Sequence, residues 1–516
     1  MFKAKAICVL LAWSTLLPYG RGSVWASVTE SETPARIGFH QVRLDAAGHV
    51  LPWYADDPGT SYDHVVNLLW FYWSHVPAYW NVDVGSKPQG AIDLPKYMVF
   101  RTLETAGIGG DQFAMMLSSW SLYYQYSGDK KVLDNMIYQA DAYLEHSLSA
   151  KTAAWPEIPF PGNTERQMKY DGDIVLGKGV TQPDKAGSFG AELVTLYKIT
   201  GNRRYLEAAV KIANVLADKI KGGDETHSPL PFKVVAESGV VKSAYTTNWT
   251  GTMRLFQSLI ELKVGEDSRY QKGFETLLAW LKRYPMQNNR WGPFFEDIPG
   301  WSDTEINADT LAWYLMENKS WDANWKADVR RILDWVMATL GNHSLDALGV
   351  TTVNEQTAYK VPGQSHSSRH ASVELRYVAE TGDDSNKEMA IRQLNWSTYA
   401  VDDDGKNKYP DPGTYEIWWT DGYGDYVRHL LRAMAAAPQL APARQNHLLK
   451  TSSVIRDIQY GPEEIRYRKF DGRSLEVLKI GVGVPQSVTG GSMKWDSNSH
   501  LLRVDSDSEE VTINLK

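Results

Sequence analysis

Five stretches in the middle of the chain repeat one pattern: an apolar helical segment, a tight break, and a second helical segment whose apolar positions fall on one side. The breaks lie at Gly128, Gly201, Gly265, Asn318 and Gly382, spaced 73, 64, 53 and 64 residues apart. Glycine just past the last periodic residue stops a helix, and Asp or Asn beyond it starts the next, so each unit predicts a helical hairpin. In one unit Leu206, Ala209, Val210, Ala213, Leu216, Ala217 and Ile220 form a single stripe, with Arg204, Glu207, Lys211 and Asp218 elsewhere. That second helix has a wet back and belongs on the outside. Its predecessor, Phe189 to Thr200, is apolar over most of its circumference, as a helix packed on several sides must be.

Two more amphipathic stretches, Asp63 to Ala78 before the repeats and Trp419 to Met434 after them, complete six inner and six outer helices. The first and last helices are left over as partners, which predicts a closed ring in place of an open solenoid with polar end caps. Inner-to-outer links are short. Outer-to-inner links are long, at 80–110, 150–185, 222–247, 285–303, 342–365 and 401–417, and all emerge on the face where inner helices begin. Long loops in a compact domain usually carry function. Beyond Ala436 the period changes: Ile465–Phe470, Leu475–Gly481, Met493–Trp495, Leu501–Asp505 and Glu510–Leu515 alternate as strands. The expected organisation is a signal peptide over 1–26, an extended lead-in over 27–62, an (α/α)6 toroid over 63–436, a linker over 437–451 and a small β-sandwich-like domain over 452–516.

Composition sharpens the picture. The 516 residues are 43% hydrophobic and 22% charged, with 20 Trp, 27 Tyr and 1 Cys, which excludes disorder and a disulfide scaffold. A net charge of −8 without any Lys/Arg block argues against nucleic acid as a partner. Lys3 and Lys5, the apolar run Ala6 to Leu17 and the small-residue site at Val24-Trp25-Ala26 read as a secretory signal. No later stretch is long and apolar enough to span a membrane, so a secreted or periplasmic protein is expected, with its oligomeric state left open.

A mainly α, (α/α)6 ring with long loops on one face and a trailing β-domain resembles the α/α-toroid superfamily of glycoside hydrolases and polysaccharide lyases. The resemblance covers about 63–516, is architectural, and implies carbohydrate chemistry on the loop face, with a poly- or oligosaccharide as partner and no cofactor.

The loop face carries matching residues. Trp80, Trp155, Trp249, Trp291, Trp301, Trp418 and Trp419 lie in the long loops, where indoles could stack on sugar rings. Trp120, Trp280, Trp313 and Trp335 fall within helices and are expected to pack the ring. Glycoside hydrolysis needs an acid and a second carboxylate, and Glu296, Glu416, Asp111, Asp184, Asp303 and Asp421 are candidates. The four aspartates also suit helix caps. Glu296 and Glu416 stand among aromatic residues and off the cap positions, which favours one of them as acid, with Asp421 or Asp111 as partner. A second set, Tyr245, Asn248, Arg290, His366, Arg369 and His370, suits β-elimination of a uronic acid polymer, a reaction that toroidal lyases perform with such residue types at helix starts. His366, His370 and Glu374 have helical spacing for a metal, but the order of zinc proteases is absent, so a polar cleft wall is the preferred reading and no metal is expected. Hydrolysis is favoured over elimination because carboxylates outnumber basic residues in the loops, with a non-catalytic glycan-binding ring as a further alternative.

Overall fold

The computed structural model describes residues 36–75, 110–162, 164, 170–295, 300–407 and 421–516, with the side chains of 110–113 and 421 left aside. Twelve helices build the main body: α1 (Pro58–His75), α2 (Gly110–Ser127), α3 (Lys130–His146), α4 (Pro183–Thr200), α5 (Arg203–Lys219), α6 (Thr250–Glu261), α7 (Asp267–Arg283), α8 (Glu305–Glu317), α9 (Trp325–Leu340), α10 (Gln364–Thr381), α11 (Lys387–Thr398) and α12 (Tyr426–Ala436). Each sequence break separates an inner helix from its outer partner. Gly201 and Gly382 close α4 and α10 with φ of +74° and +80°, a left-handed conformation that glycine adopts without a Cβ penalty. Asp129 and Asn202 then cap α3 and α5 by accepting the backbone N–H of Lys131 and Arg204.

The inner helices contact one another in the order α2, α4, α6, α8, α10, α12, and α12 returns to α2, so the ring is closed. Helix α1 packs on α11 and α12 and serves as the sixth outer helix. Burial follows the sequence pattern: α5 exposes Arg203, Arg204, Glu207 and Lys211 and buries Leu206, Ala209, Ala213 and Leu216, whereas α8 is buried from Glu305 through Met316 except at Thr310. Helix α10 is equally buried from Gln364 to Leu375 although that stretch is rich in Ser, His and Arg.

The C-terminal region is a sandwich of two antiparallel four-stranded sheets built from β1 (His447–Thr451), β2 (Ile455–Tyr460), β3 (Glu464–Lys469), β4 (Ser474–Lys479), β5 (Pro485–Thr489), β6 (Gly491–Asp496), β7 (Leu501–Ser506) and β8 (Glu510–Leu515). The sheet orders are β1-β4-β7-β6 and β2-β3-β8-β5, around a core that includes Leu448, Ile458, Ile465, Leu478, Leu502 and Ile513. Strand β1 occupies the end of the segment expected to be linker. Two Pro and several Ala mask a strand that begins only after them. The sandwich sits on the ends of α2 and α4: Tyr124 donates to the Arg456 carbonyl at 3.1 Å, and Arg456 Nε donates to the Lys198 carbonyl at 2.9 Å. Among the described residues no helix is long and apolar enough to cross a membrane.

Candidate active site in the ring lumen

Where α4 and α6 cross, glycine replaces bulk. A Cβ on Gly251 would lie 2.6 Å from Ser188 Cα, and one on Gly187 would lie 2.9 Å from Thr252 Cα, so the two helices meet at backbone distance. Around this crossing the lumen holds a cavity of about 120 Å³ walled by α2, α4, α6, α8, α12 and Phe294. Among the described residues its charged lining consists of Glu192, Arg254, Arg428 and Arg432, and its aromatic lining includes Trp313. Two guanidinium groups lie over that indole, with Arg376 at 4.3 Å and Arg432 at 4.5 Å from the ring centre. Arg254 pairs with Glu317 at 2.5 Å and Arg376 with the same carboxylate at 3.3 Å. Burial opposes the charge on Glu317, but Arg254, Arg376 and Arg432 outweigh it and hold the carboxyl below its usual range.

Glu192 behaves differently. It is half-buried, lines the cavity, and has no hydrogen bond or ion pair among the described residues. Burial pushes its carboxyl up to about 7, against the pull of Arg428, Arg254 and Arg432. A carboxyl near neutrality in a cavity has the property that general acid catalysis requires.

A buried polar seam adjoins the cavity. On α8, Glu305 and Asp309 face His366 and His370 on α10: His366 Nδ1 lies 2.8 Å from Glu305, and His370 Nδ1 lies 3.1 Å from Asp309. Arg369 donates to both Glu305 and Asp425, and Asp425 also receives Arg428 and, at 3.1 Å, His429 Nε2. Arg428 continues to Ser118 Oγ at 2.8 Å and lines the cavity, so it joins the seam to the lumen. Burial lowers the His366 imidazole, but the Glu305 carboxylate more than reverses this, to about 9. Burial likewise opposes the charge on Asp425, yet Arg369, Arg428 and His429 hold it well below the usual range. Glu374, the third residue of the spacing considered for a metal, is held by Arg330 at 2.5 Å and 2.8 Å. Among the described residues no cluster of three His, Cys, Asp or Glu side chains is arranged for a metal.

The residues singled out by sequence fall into separate places. Glu296, Glu416, Trp80, Trp418, Trp419 and the 1–26 segment lie outside the described residues, as do the side chains of Asp111 and Asp421. Asn248 lines the cavity and donates to Asp184 at 2.9 Å. Asp184, which Lys185 also approaches at 3.2 Å, stands at the second position of α4 after Pro183 and is not its cap. Thr304, not Asp303, caps α8; Asp303 instead accepts the backbone N–H of Trp291 and the indole N–H of Trp301. Tyr245 is buried among Trp280, Trp301 and Arg290, away from the cavity lining, and burial raises its hydroxyl to about 12.

Three of the expected sugar platforms need correcting. Trp155, Trp249 and Trp291 are 4%, 0% and 0% exposed, so their rings anchor loops and offer no free face. Trp249 donates its indole N–H to the Thr246 carbonyl, and Trp291 packs on Trp335 of α9. Trp301, at 39%, keeps an exposed surface, and Arg290 lies 4.0 Å from its ring centre. The expected polar cleft wall of His366, His370 and Glu374 is likewise corrected: all three are buried, the histidines against Glu305 and Asp309 and Glu374 against Arg330, and the substrate-binding candidate Arg369 is buried against Glu305 and Asp425. Sequence reasoning missed Glu192, Arg254, Arg428 and Arg432. Their signal was faint: Glu192, Arg254, Arg428 and Arg432 are charges set in mainly apolar stretches of inner helices.

No family model matches the chain, and no curated protein matches it in sequence. Solved structures do match in fold. Cellobiose 2-epimerase from Spirochaeta thermophila DSM 6192 aligns at 12% identity over 74% of this chain and 98% of its own, with a TM-score of 0.50. A sugar epimerase from a ruminal bacterium aligns at 12% identity over 73% and 98%, with a TM-score of 0.51. A D-mannose isomerase aligns at 8% identity over 75% and 99%, with a TM-score of 0.50. The chain has the six-hairpin α/α-toroid fold. At these identities the likeness establishes architecture alone.

Proposed function

We propose that the protein is a carbohydrate-processing enzyme whose reaction takes place in the ring lumen, and that it hydrolyses glycosidic bonds with Glu192 as the proton donor. One observation carries this reading: a half-buried carboxyl, raised to about 7 and without a hydrogen-bond partner among the described residues, faces a cavity beside an indole. Protonated Glu192 would give its proton to the glycosidic oxygen as the bond to the anomeric carbon breaks. A water-derived hydroxyl then completes the sugar, activated by a second carboxylate. Glu296, Glu416, Asp421 and Asp111 are the candidates for that partner, and Glu296 follows directly on the cavity-lining Phe294 and on Phe295. A fold shared with sugar epimerases and an isomerase agrees with a saccharide substrate. The signal-like 1–26 segment agrees with export.

Elimination from a uronic acid polymer is the second reading, favoured by one feature of His366. Its Nδ1 is fixed by Glu305, while its Nε2 is buried with no hydrogen-bond partner among the described residues. An oriented imidazole with one unused nitrogen is suited to moving a proton. Incubation with neutral and acidic glycans separates the readings. New reducing ends without ultraviolet absorbance support hydrolysis. Absorbance from an unsaturated uronate overturns it in favour of elimination, and a changed sugar configuration with no new ends assigns the lumen to epimerisation. Unchanged glycans that still bind overturn catalysis altogether.

A further inference from the structure

Arg432 presents an imbalance that the fold alone does not explain. Its guanidinium carries five N–H donors, yet among the described residues it makes no hydrogen bond and no ion pair. It lies over the ring of Trp313, feels the Glu317 carboxylate without pairing with it, and lines the cavity together with Arg254 and Arg428. The other arginines of the lumen are matched: Arg254 and Arg376 by Glu317, Arg369 by Glu305 and Asp425, and Arg428 by Asp425. Glu192, the one carboxylate among the described lining residues, pairs with none of them and is half protonated near neutrality. Among the described residues the lumen wall therefore holds a cation in surplus. Arg432 is half-buried, so its unpaired guanidinium on the cavity wall stays open to an anion that arrives from outside.

We propose that the ring lumen is an anion subsite in which Arg432, flanked by Arg254 and Arg428, binds a carboxylate or sulfate group carried by a saccharide. The planar fork of Arg432 offers two parallel donors to two oxygens of such a group, and its guanidinium lies 4.5 Å from the Trp313 ring centre. Asn248, on the same wall, adds a neutral donor and acceptor for neighbouring hydroxyls. The saccharide part of this inference rests on the proposed carbohydrate function; the anion part rests on Arg432 itself.

Titration calorimetry on the full chain tests it with three oligosaccharides of equal length: one bearing uronate, one bearing sulfate ester and one neutral. The expected result is that an anionic oligosaccharide binds at least tenfold more tightly than the neutral one and weakens as salt rises, with the better of the two identifying the group. Arg432→Gln should bring the ratio of anionic to neutral affinity to about one, and Arg432→Lys should restore part of it. Equal affinity for all three, or an anionic preference that survives Arg432→Gln, overturns the subsite. Folding is read separately: thermal melting of Arg432→Gln should match or exceed the wild type, because an unmatched charge is removed, and a large drop instead shows a structural role and also overturns the proposal. Stabilisation of the wild type, but not Arg432→Gln, by inorganic sulfate, without saccharide binding, upholds the anion subsite and rejects the carbohydrate reading. Cleavage of neutral glycans without anionic preference does the reverse.

Discussion

The Nδ1 edge of His366 lies 2.8 Å from the Glu305 carboxylate, with both side chains fully buried between α8 and α10. The pair ties folding to pH. The imidazole is raised from its ordinary 6.5 to about 9, so its contribution to stability is complete below its unfolded value and is lost as pH climbs through the folded one. The melting temperature should therefore fall between about pH 7 and about pH 9, and His366→Gln should flatten that part of the profile. Glu305→Gln leaves two buried cations short of a partner and should cost about 3–5 kcal/mol in chemical denaturation.

Glu192 predicts an alkaline limit on activity. A proton donor must be protonated, and a carboxyl raised to about 7 loses its proton above that pH. The rate should fall on the alkaline side, Glu192→Gln should lower kcat by ~10²–10⁴ and erase that limb, and circular dichroism should show an unchanged fold. The same shift has a stability sign. A carboxyl raised above its ordinary 4.5 favours the folded state at low pH, and this support is lost as pH rises through about 7.

The two classes of loop tryptophan should separate by assay. Trp249→Ala removes a fully buried indole and should cost about 3–5 kcal/mol in guanidinium unfolding. Trp301→Ala touches a partly exposed ring and should change stability by less than about 1 kcal/mol. If glycan binding falls in Trp301→Ala at full stability, the platform role belongs to Trp301.

Gly251→Ala places a methyl group against Ser188 at the crossing of α4 and α6. Overpacking of this kind should cost about 1–3 kcal/mol. Because Gly251 also lines the lumen, the substitution should raise KM alongside the loss of stability, measured by steady-state kinetics at a temperature where the variant is folded.

The hairpins were legible because their punctuation is local. Gly201 with Asn202 stops one helix and caps the next through contacts within a few residues, so sequence spacing carries the whole instruction. The strands β3, β4, β7 and β8 were legible through strict alternation, whereas β1 was hidden by the neighbouring Pro438 and Pro442 and β5 begins at Pro485. The lumen was not legible because its members are single residues from different helices. Glu192, Arg254 and Arg432 are each one charge in an apolar turn, and only ring closure brings them to one cavity. The loop tryptophans misled for the converse reason: position in a loop does not say whether the ring faces outward, and Trp249 and Trp291 turn inward.

Helix α1 and helix α12 form one hairpin although they stand at opposite ends of the toroid sequence. During synthesis the first ten inner and outer helices after α1 emerge as an incomplete arc. Arg428 and Arg432 belong to the last helix, and Asp425 directly precedes it. The arc thus lacks two of the three described cavity-lining arginines and one of the two carboxylates that hold Arg369 until α12 docks between α10 and α2. Shape and chemistry are completed by the same late, long-range contact, so a chain interrupted before α12 carries five hairpins and none of the finished lumen.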